Sequence, residues 1–560
     1  MKILLTAVNA KYIHSNPAVY SIRAYAKKYL EHIALKEYTI NQKAEEILTD
    51  IFLEAPDIVA ISVYIWNREM VDILLEEIPK VLPKARIVLG GPEAANDAQS
   101  LLKRNNQIDC VMDGEGEATF EELCQHYIEK NIELSEIKGL ILREKRTGVR
   151  PFLDMDELPF FYEEWGNEKN LGPFKNKIIY YETSRGCPFR CSYCLSSLDK
   201  TVRLKSLEKV YKELQFFLDR RVPQVKFIDR TFNANAKHAL SIWTYLLEHD
   251  NGVTNFHFEV EADILTREEI DVISKMRPGL IQLEIGVQTT NKEVLKAINR
   301  KEIGERMLSN IASIHAVRNT HQHLDLIAGL PYEDMESFKR SFNEVYDMKP
   351  DQLQLGFLKV LKGTQIACLA DEYGIKALGR PPYEVLSTNW MTYENMIALK
   401  RIENVVEIYY NSNQFTKTIP FLVKQFENPY RFFEELVAYF ESKGYFLNQP
   451  ARVFRYNILL EFAISFDASK EKIVKELLTC DMYLRENMKS RPSFARDLSS
   501  YKEEIYRREK QKKDHIEVFD YPVFQENTED ISAPSNEPYF VLFDYDHVDP
   551  LSKNAKMILV

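Results

Sequence analysis

Along the first 145 residues, short apolar runs alternate with stretches whose apolar positions recur every three or four residues. "KILLTAV", "DIVAISVYI" (57–65), "ARIVLGG" (85–91) and "IDCVMDGEGE" (108–117) read as strands. Helical spacing runs from Pro17 to Leu30, with a proline suited to a first turn, and again near Arg68–Val81. Strands alternating with helices predict a parallel, doubly wound sheet, and such sheets take ligands at the carboxyl ends of their strands. Gly90, Gly91, Gly114 and Gly116 fall at those ends. Backbone can approach a ligand closely there, and an anion can meet helix N-termini.

The pattern then breaks. Residues 146–175, with "TGVRPFLDMDELPFFYEEW", mix prolines, acids and aromatics without a period and read as a linker. From residue 176 a second alternating series begins with "KIIYYETS". It continues through "QVKFIDRTF" (224–232), "FHFEVEADIL" (256–265), "LIQLEIGVQT" (280–289), "HLDLIAGLP" (323–331) and "DQLQLGFLKVL" (351–361). Six strand–helix units predict a curved parallel sheet, a full or partial barrel of the TIM type, with its chemistry at the carboxyl ends. Beyond about 376 the spacing turns helical and rich in tyrosine and phenylalanine, which are expected in the core. "PYFVLFDYDHVDP" reads as a terminal strand. The expected organisation is α/β: a Rossmann-like domain over 1–145, a linker over 146–175, a partial (β/α)6 barrel over 176–375 and a mostly α-helical domain over 376–560.

Composition narrows the classes. The 560 residues carry a formal net charge of −11, so no general basic footprint for nucleic acid is present. No uncharged run is long enough to span a membrane. The opening stretch is too short an apolar run for a signal peptide and reads as a buried first strand. Seven cysteines in a chain of this size are not a disulfide framework, and a cytoplasmic location is expected.

Three of the seven stand together in "SRGCPFRCSYC": Cys187, Cys191 and Cys194. A structural zinc site needs four ligands, and the flanking histidines, His126 and His238, are distant in sequence. An iron–sulfur cluster with one open iron fits three thiolates without a fourth, and zinc is the competing reading. Cys110 (strand), Cys124 and Cys480 (helical stretches) and Cys368, just past the sixth strand, are read as small buried thiols. Asp229 ends a strand and is read as pairing with Arg230 or capping a turn. For the first domain the glycine-ended strands allow a nucleotide, a flavin or a cobalamin; the absence of G-x-G-x-x-G after the first strand argues against a dinucleotide.

The cysteine segment resembles the signature of the radical S-adenosylmethionine (radical SAM) superfamily, C-x3-C-x-aromatic-C, at Cys187, Cys191, Tyr193 and Cys194. "EIGVQTTNKEVLKAINR" and "DLIAGLP" continue the resemblance. "LGGPEA" (89–94) and "DGEGEATF" (113–120) extend it to the class that carries a cobalamin-binding domain. The carboxyl-terminal region resembles a domain of unknown function often appended there. The resemblance implies a 4Fe-4S cluster on Cys187, Cys191 and Cys194, with S-adenosylmethionine chelating the fourth iron and Tyr193 near the adenine. It places Glu261, Gln288, Arg300 and Asp325 at the nucleoside or the methionine carboxylate, and a guanidinium fork suits a carboxylate. It also implies cobalamin lined by Ser62, Gly90, Gly91, Gly114 and Glu115, its nucleotide tail threaded into the sheet. The D-x-H-x-x-G motif for a lower axial histidine is missing, and His14 in "AKYIHSNP" is read as a loop residue.

The function this implies is reductive cleavage of S-adenosylmethionine to a 5′-deoxyadenosyl radical, followed by methylation of an unactivated carbon. The alternatives are a non-methylating radical SAM reaction, such as cyclisation or rearrangement, and a corrinoid-binding regulatory protein with an idle barrel. A small-molecule or peptide substrate and an electron donor such as flavodoxin or ferredoxin are the expected partners. No membrane span and no nucleic acid are expected.

Overall fold

The structure is a computed structural model and describes residues 1–167, 169–302, 304–508 and 514–560. The chain divides into two compact units. The first comprises Met1–Val272, Lys296–Arg300 and Phe357–Asn389; the second comprises Ile273–Leu295, Lys301–Gly356 and Trp390–Val560.

In the first unit, β1 (Ile3–Asn9), β2 (Ile33–Thr39), β3 (Ile58–Ser62), β4 (Arg86–Gly90), β5 (Ile108–Met112) and β6 (Leu140–Ile141) form one sheet of order β2-β1-β3-β4-β5-β6. β1 to β5 pair in parallel, and β6 closes the edge antiparallel to β5. The order reverses at β1, so a crevice opens beyond the carboxyl ends of β1 and β3, where ligands bind in this architecture. β1 and β3 are buried along their whole length, as strands covered on both faces must be. Core residues Leu4, Val8, Val59, Ile61, Ile87 and Leu89 join the helices Ala44–Glu54 and Arg68–Val81.

The expected helix from Pro17 ends at Tyr25, because Ala26 leaves helical geometry and a tight turn of 3₁₀ helix follows over Lys27–His32. β2 was not legible as a strand. Its Lys36 and Glu37 interrupt the apolar run. Glu37 is nonetheless held inside by Asn9, Tyr20, Lys177 and the backbone of Asn16.

A second sheet has the order β14-β13-β12-β11-β10-β7, the sequential order of a partial (β/α)6 barrel. Its strands are β7 (Ile179–Tyr181), β10 (Gln224–Phe227), β11 (Asn255–Val260), β12 (Ile281–Gln288), β13 (His321–Ala328) and β14 (Gln352–Phe357). β8 (Ser184–Arg185) and β9 (Arg203–Leu204) pair as a short antiparallel ribbon around the cysteine loop. In the first unit, β10 pairs in parallel with both β7 and β11. In the second, β12 and β13 pair in parallel with a register shift at Gly286–Gln288.

The second unit also holds the carboxyl-terminal helices. Many of their tyrosines and phenylalanines are core, as expected: Tyr409, Phe415, Phe433, Tyr456 and Phe462 are nearly fully buried, whereas Tyr393, Phe454, Phe466 and Tyr506 are exposed. Asp481 is buried in the helix Glu471–Arg485. It caps the helix Thr418–Val423 by accepting from the backbone N–H groups of Lys417 and Thr418 and from the Thr418 hydroxyl. The expected terminal strand is the middle strand of a three-stranded antiparallel sheet, β17 (His515–Phe519), β18 (Tyr539–Val548) and β19 (Ala555–Leu559). A two-stranded ribbon, β15 (Lys376–Ala377) and β16 (Val385–Ser387), belongs to the first unit. Among the described residues, no helix is long and apolar enough to cross a membrane.

Candidate functional site

The cysteine loop leaves β7 and is fixed at both ends by main-chain bonds. Cys187 N–H donates to Asp199 O (2.9 Å), Ser192 N–H to Ile298 O (3.0 Å) and Ile366 N–H to Ser192 O (2.8 Å). Gly186 has φ +90°, and a Cβ there would lie 2.2 Å from Thr201 O. No other residue passes that point without moving the backbone. Cys187 and Cys191 are buried and Cys194 is half-buried. Among the described residues, no three His, Cys, Asp or Glu side chains converge as one metal ion requires. Three thiols leave a four-coordinate structural zinc site one ligand short, whereas a cluster takes each thiolate on a separate iron.

Around the loop stands a chain of polar contacts. Arg300 Nη1 lies 3.9 Å from Cys191 Sγ, and its Nη2 donates to Glu261 Oε2 at 2.7 Å. Arg300 also bonds to the Tyr193 hydroxyl. Burial pushes the Glu261 carboxyl above the usual range and the Arg300 charge works against that. The Cys191 thiol is raised for the same reason, again opposed by Arg300. Glu261 follows β11, and its backbone is clamped by Asn233: the Asn233 amide donates to Glu261 O (2.9 Å) and accepts from Glu261 N–H (3.0 Å). Asn233 is 1% exposed.

Asp229 corrects the sequence reading. Its partners are neither Arg230 nor the groups of a local turn. It is 1% exposed, and its carboxylate accepts from Thr183 N–H (3.0 Å), Thr183 Oγ1 (2.6 Å) and Ser184 Oγ (2.6 Å). Burial raises its carboxyl while those bonds pull it back. Thr231, two residues on, places Oγ1 3.5 Å from Cys187 Sγ. Asp229, Thr231 and Asn233 thus hold the cysteine loop and Glu261 from one short segment that leaves β10, turns at Arg230–Thr231 and enters a 3₁₀ turn over Phe232–Ala234. A run of alternating polar residues just past a strand was the available signal, and it was passed over.

Gln288 and Asp325 belong to the second unit. Gln288 ends β12 with φ +68°. Asp325, in β13, lies 3.0 Å from His323 Nε2. Beside Gln288, Thr289 Oγ1 donates to the fully buried Glu333 (2.6 Å), whose carboxyl burial pushes up to about 8.

Ser62, Gly90, Gly91, Gly114 and Glu115 all line one cavity of about 620 Å³ in the first unit, within the usual range of ligand sites. Gly91 has φ +98°, and an added Cβ would sit 2.4 Å from Val63 O. Gly114 has φ +93°, and an added Cβ there meets nothing within 4 Å. The cavity continues to Ser184, Arg185, Gly186, Leu195 and Ser196, so it reaches the cysteine loop. Its charges are mostly compensated. Arg185 Nη2 donates to Glu117 (2.6 Å) and its Nε to Glu182 (3.0 Å), while Arg203 bridges Glu115 (2.7 Å) and Asp199 (2.9 Å). Burial works to raise the Glu117 carboxyl, but Arg185 holds it below its ordinary value. Among the described residues lining the cavity there is no histidine. His14 instead places Nδ1 2.6 Å from the Tyr180 hydroxyl. Cys110, Cys124 and Cys480 are buried as expected; Cys368 is exposed, because the short helix Gln365–Cys368 ends there at the surface.

Family profiles match three successive stretches: the B12 binding domain over 3–124, the radical SAM superfamily over 181–345, and a protein family of unknown function, DUF4080, over 371–533. The chain therefore carries a B12 binding domain followed by a radical SAM domain. It is 24% identical over 427 residues to the cobalamin-dependent radical SAM methyltransferase TokK of Streptomyces tokunonensis, covering 69% of this chain and 62% of that relative. In fold it resembles the cobalamin-dependent radical enzyme OxsB (TM-score 0.58, 15% identity, 86% of this chain and 79% of that one). It also resembles the radical S-adenosylmethionine methyltransferase TsrM of Kitasatospora setae (TM-score 0.53, 16% identity, 68% and 79%). The cofactors of this radical SAM enzyme are a 4Fe-4S cluster, S-adenosylmethionine and cobalamin. The residues present fit them: a loop of three cysteine thiols, and a glycine-walled cavity in the B12 binding domain.

Proposed function

We propose that this enzyme methylates an unactivated carbon of its substrate. The observation that supports this reading is the continuity of the glycine-walled cavity with the cysteine loop, which brings a corrinoid site and a cluster site to one space. When bound, the cluster and S-adenosylmethionine supply a one-electron cleavage that yields a 5′-deoxyadenosyl radical, and the corrinoid supplies a methyl group.

The chain's own residues do the holding. Cys187, Cys191 and Cys194 carry the cluster. Arg300 offers its fork to the methionine carboxylate, and Glu261 accepts from ribose hydroxyls once Arg300 is drawn away from it. Tyr193 lies against the adenine, and Gln288 and Asp325 complete the nucleoside contacts. Ser62, Gly90, Gly91, Gly114 and Glu115 line the corrinoid, which takes no imidazole from the cavity wall. The domain limits are those of the sequence reading, 1–145, 176–375 and 376–560. A flavodoxin or ferredoxin supplies the electrons.

The test is anaerobic: the cluster is reconstituted, cobalamin, reductant and S-adenosylmethionine are added, and 5′-deoxyadenosine and S-adenosylhomocysteine are quantified beside a Cys191→Ala control. Both products, lost in the control, are expected. 5′-Deoxyadenosine alone would turn the reading toward a non-methylating reaction, and a protein that holds no cluster would end it.

A further inference from the structure

Of the cations on the cavity wall, Arg185 and Arg203 are tied to carboxylates, and Lys205 donates to the buried Glu213 at 2.7 Å. Arg230 is different. It lines the same cavity, its side chain is exposed to that space, and among the described residues it makes no ion pair or side-chain hydrogen bond. Its charge acts on Tyr64, a residue of the B12 binding domain that lines the cavity beyond β3. Its backbone is held on both sides. Asp229 accepts from Thr183, Thr231 lies against Cys187 Sγ, and the Arg230 side chain between them opens into the cavity.

A ligand that fills this cavity takes water from the guanidinium. A buried charge without a partner costs several kcal/mol, so the occupied site is stable only if a negative group arrives with the ligand. A corrinoid has one negative group, the phosphodiester of its nucleotide tail. That tail belongs with the glycine-ended strands of the first sheet, whereas Arg230 follows β10, on the wall that also carries Ser184 and Arg185.

We infer that Arg230 is the anion-recognition residue for the substrate, which therefore carries a carboxylate or phosphate within reach of the carbon it presents. This rests on the reading of the cavity given above. A neutral analogue leaves the guanidinium unpaired and is rejected, as sites with a buried polar group reject ligands that fail to pair it.

The test uses the full chain, Arg230→Gln and Arg230→Lys. Hydroxocobalamin and cobinamide, which lacks the phosphodiester, are titrated by visible absorbance. Both are expected to bind Arg230→Gln within about twofold of the parent protein. Separately, phenylglyoxal labelling of Arg230 is followed by peptide mass in corrinoid-loaded and corrinoid-free protein, with and without sodium phosphate. Phosphate is expected to slow labelling of Arg230 by about fivefold more than that of Arg267, an exposed arginine at the start of the helix Arg267–Ser274. Arg230→Lys, which keeps the charge, is expected to retain phosphate-dependent protection against an amine-directed label. Loss of hydroxocobalamin affinity by about tenfold in Arg230→Gln, with cobinamide unchanged, would assign Arg230 to the cofactor and overturn the inference. Equal protection at Arg230 and Arg267 would overturn it too. Protein that takes up no corrinoid would end the reading of the cavity instead, while the labelling of the corrinoid-free protein still decides Arg230.

Discussion

The two ends of the site are built by opposite means. The amino-terminal sheet makes its part of the cavity by omission: Gly90, Gly91 and Gly114 leave room where side chains would stand. The cysteine loop is made by attachment. Asp229, Thr231, Asn233 and Arg300 are buried or half-buried side chains that each hold a partner in place. The first kind of site fails when an atom is added, the second when a bond is removed.

The largest effect is expected at the thiols. Cys187→Ala, Cys191→Ala or Cys194→Ala should abolish cluster loading, read as iron content and visible absorbance after reconstitution. Retention of a full cluster in all three would break the comparison at its root. Next comes the added methyl at Gly91, which meets a carbonyl oxygen at 2.4 Å in a left-handed backbone. Gly91→Ala is expected to cost about 2–4 kcal/mol and to lose corrinoid retention on gel filtration. Gly114→Ala, with open space around the new atom, should cost only the backbone strain of about 1–2 kcal/mol. Equal losses for the two would mean that space is not what these glycines provide.

On the attachment side, Asp229→Asn replaces an acceptor that serves three donors with a group that can serve fewer. A drop of about 1–3 kcal/mol in unfolding free energy is expected, with a changed electron paramagnetic resonance line of the reduced cluster. Asn233→Ala frees the Glu261 backbone, and a rise of about tenfold in the dissociation constant of S-adenosylmethionine is expected while iron loading stays at the parent level. Asn233→Asp, which still accepts from Glu261 N–H but no longer donates, should fall between.

An effect of pH alone lies in the second unit. Glu333 has its folded-state carboxyl raised to about 8, so the folded protein keeps a proton that the unfolded chain releases near its ordinary 4.5. Its contribution is therefore full at low pH and is lost as pH rises from about 4.5 toward 8. Between pH 5 and 7 this amounts to about 2–3 kcal/mol, and Glu333→Gln should flatten that slope in thermal melts. A mutant slope equal to that of the parent would remove Glu333 from the account.

The same contrast explains what the sequence made legible. Omission leaves a mark in one letter: the glycines after apolar runs fall on the wall of a cavity. The closely spaced cysteines were equally plain, and the alternation of strand and helix carried both large sheets. Attachment is written in residues that look ordinary until their partners are known. Asp229 finds Thr183 and Ser184 some 45 positions away, and its burial could not be read from its neighbours. Glu37 hid β2 for the same reason, since a charge in a strand is unremarkable only once Lys177 is seen to meet it. The β17–β19 sheet escaped because one strand of the three had a strong apolar signature. Cys368 was taken for a buried thiol because a cysteine's exposure depends on where a four-residue helix happens to end.

The stretch from Asp229 to Asn233 has a consequence for how such an enzyme can change over time. Asp229, Thr231 and Asn233 are committed to the cysteine loop and to Glu261, and Arg230 among them is committed to neither. Descendants can therefore replace that one side chain, and with it the kind of molecule admitted, without touching the machinery that makes the radical. A single insertion in the same five residues would displace the anchored side chains from their partners. Point substitution is thus an open evolutionary route to new substrates at this position, and length change is a closed one.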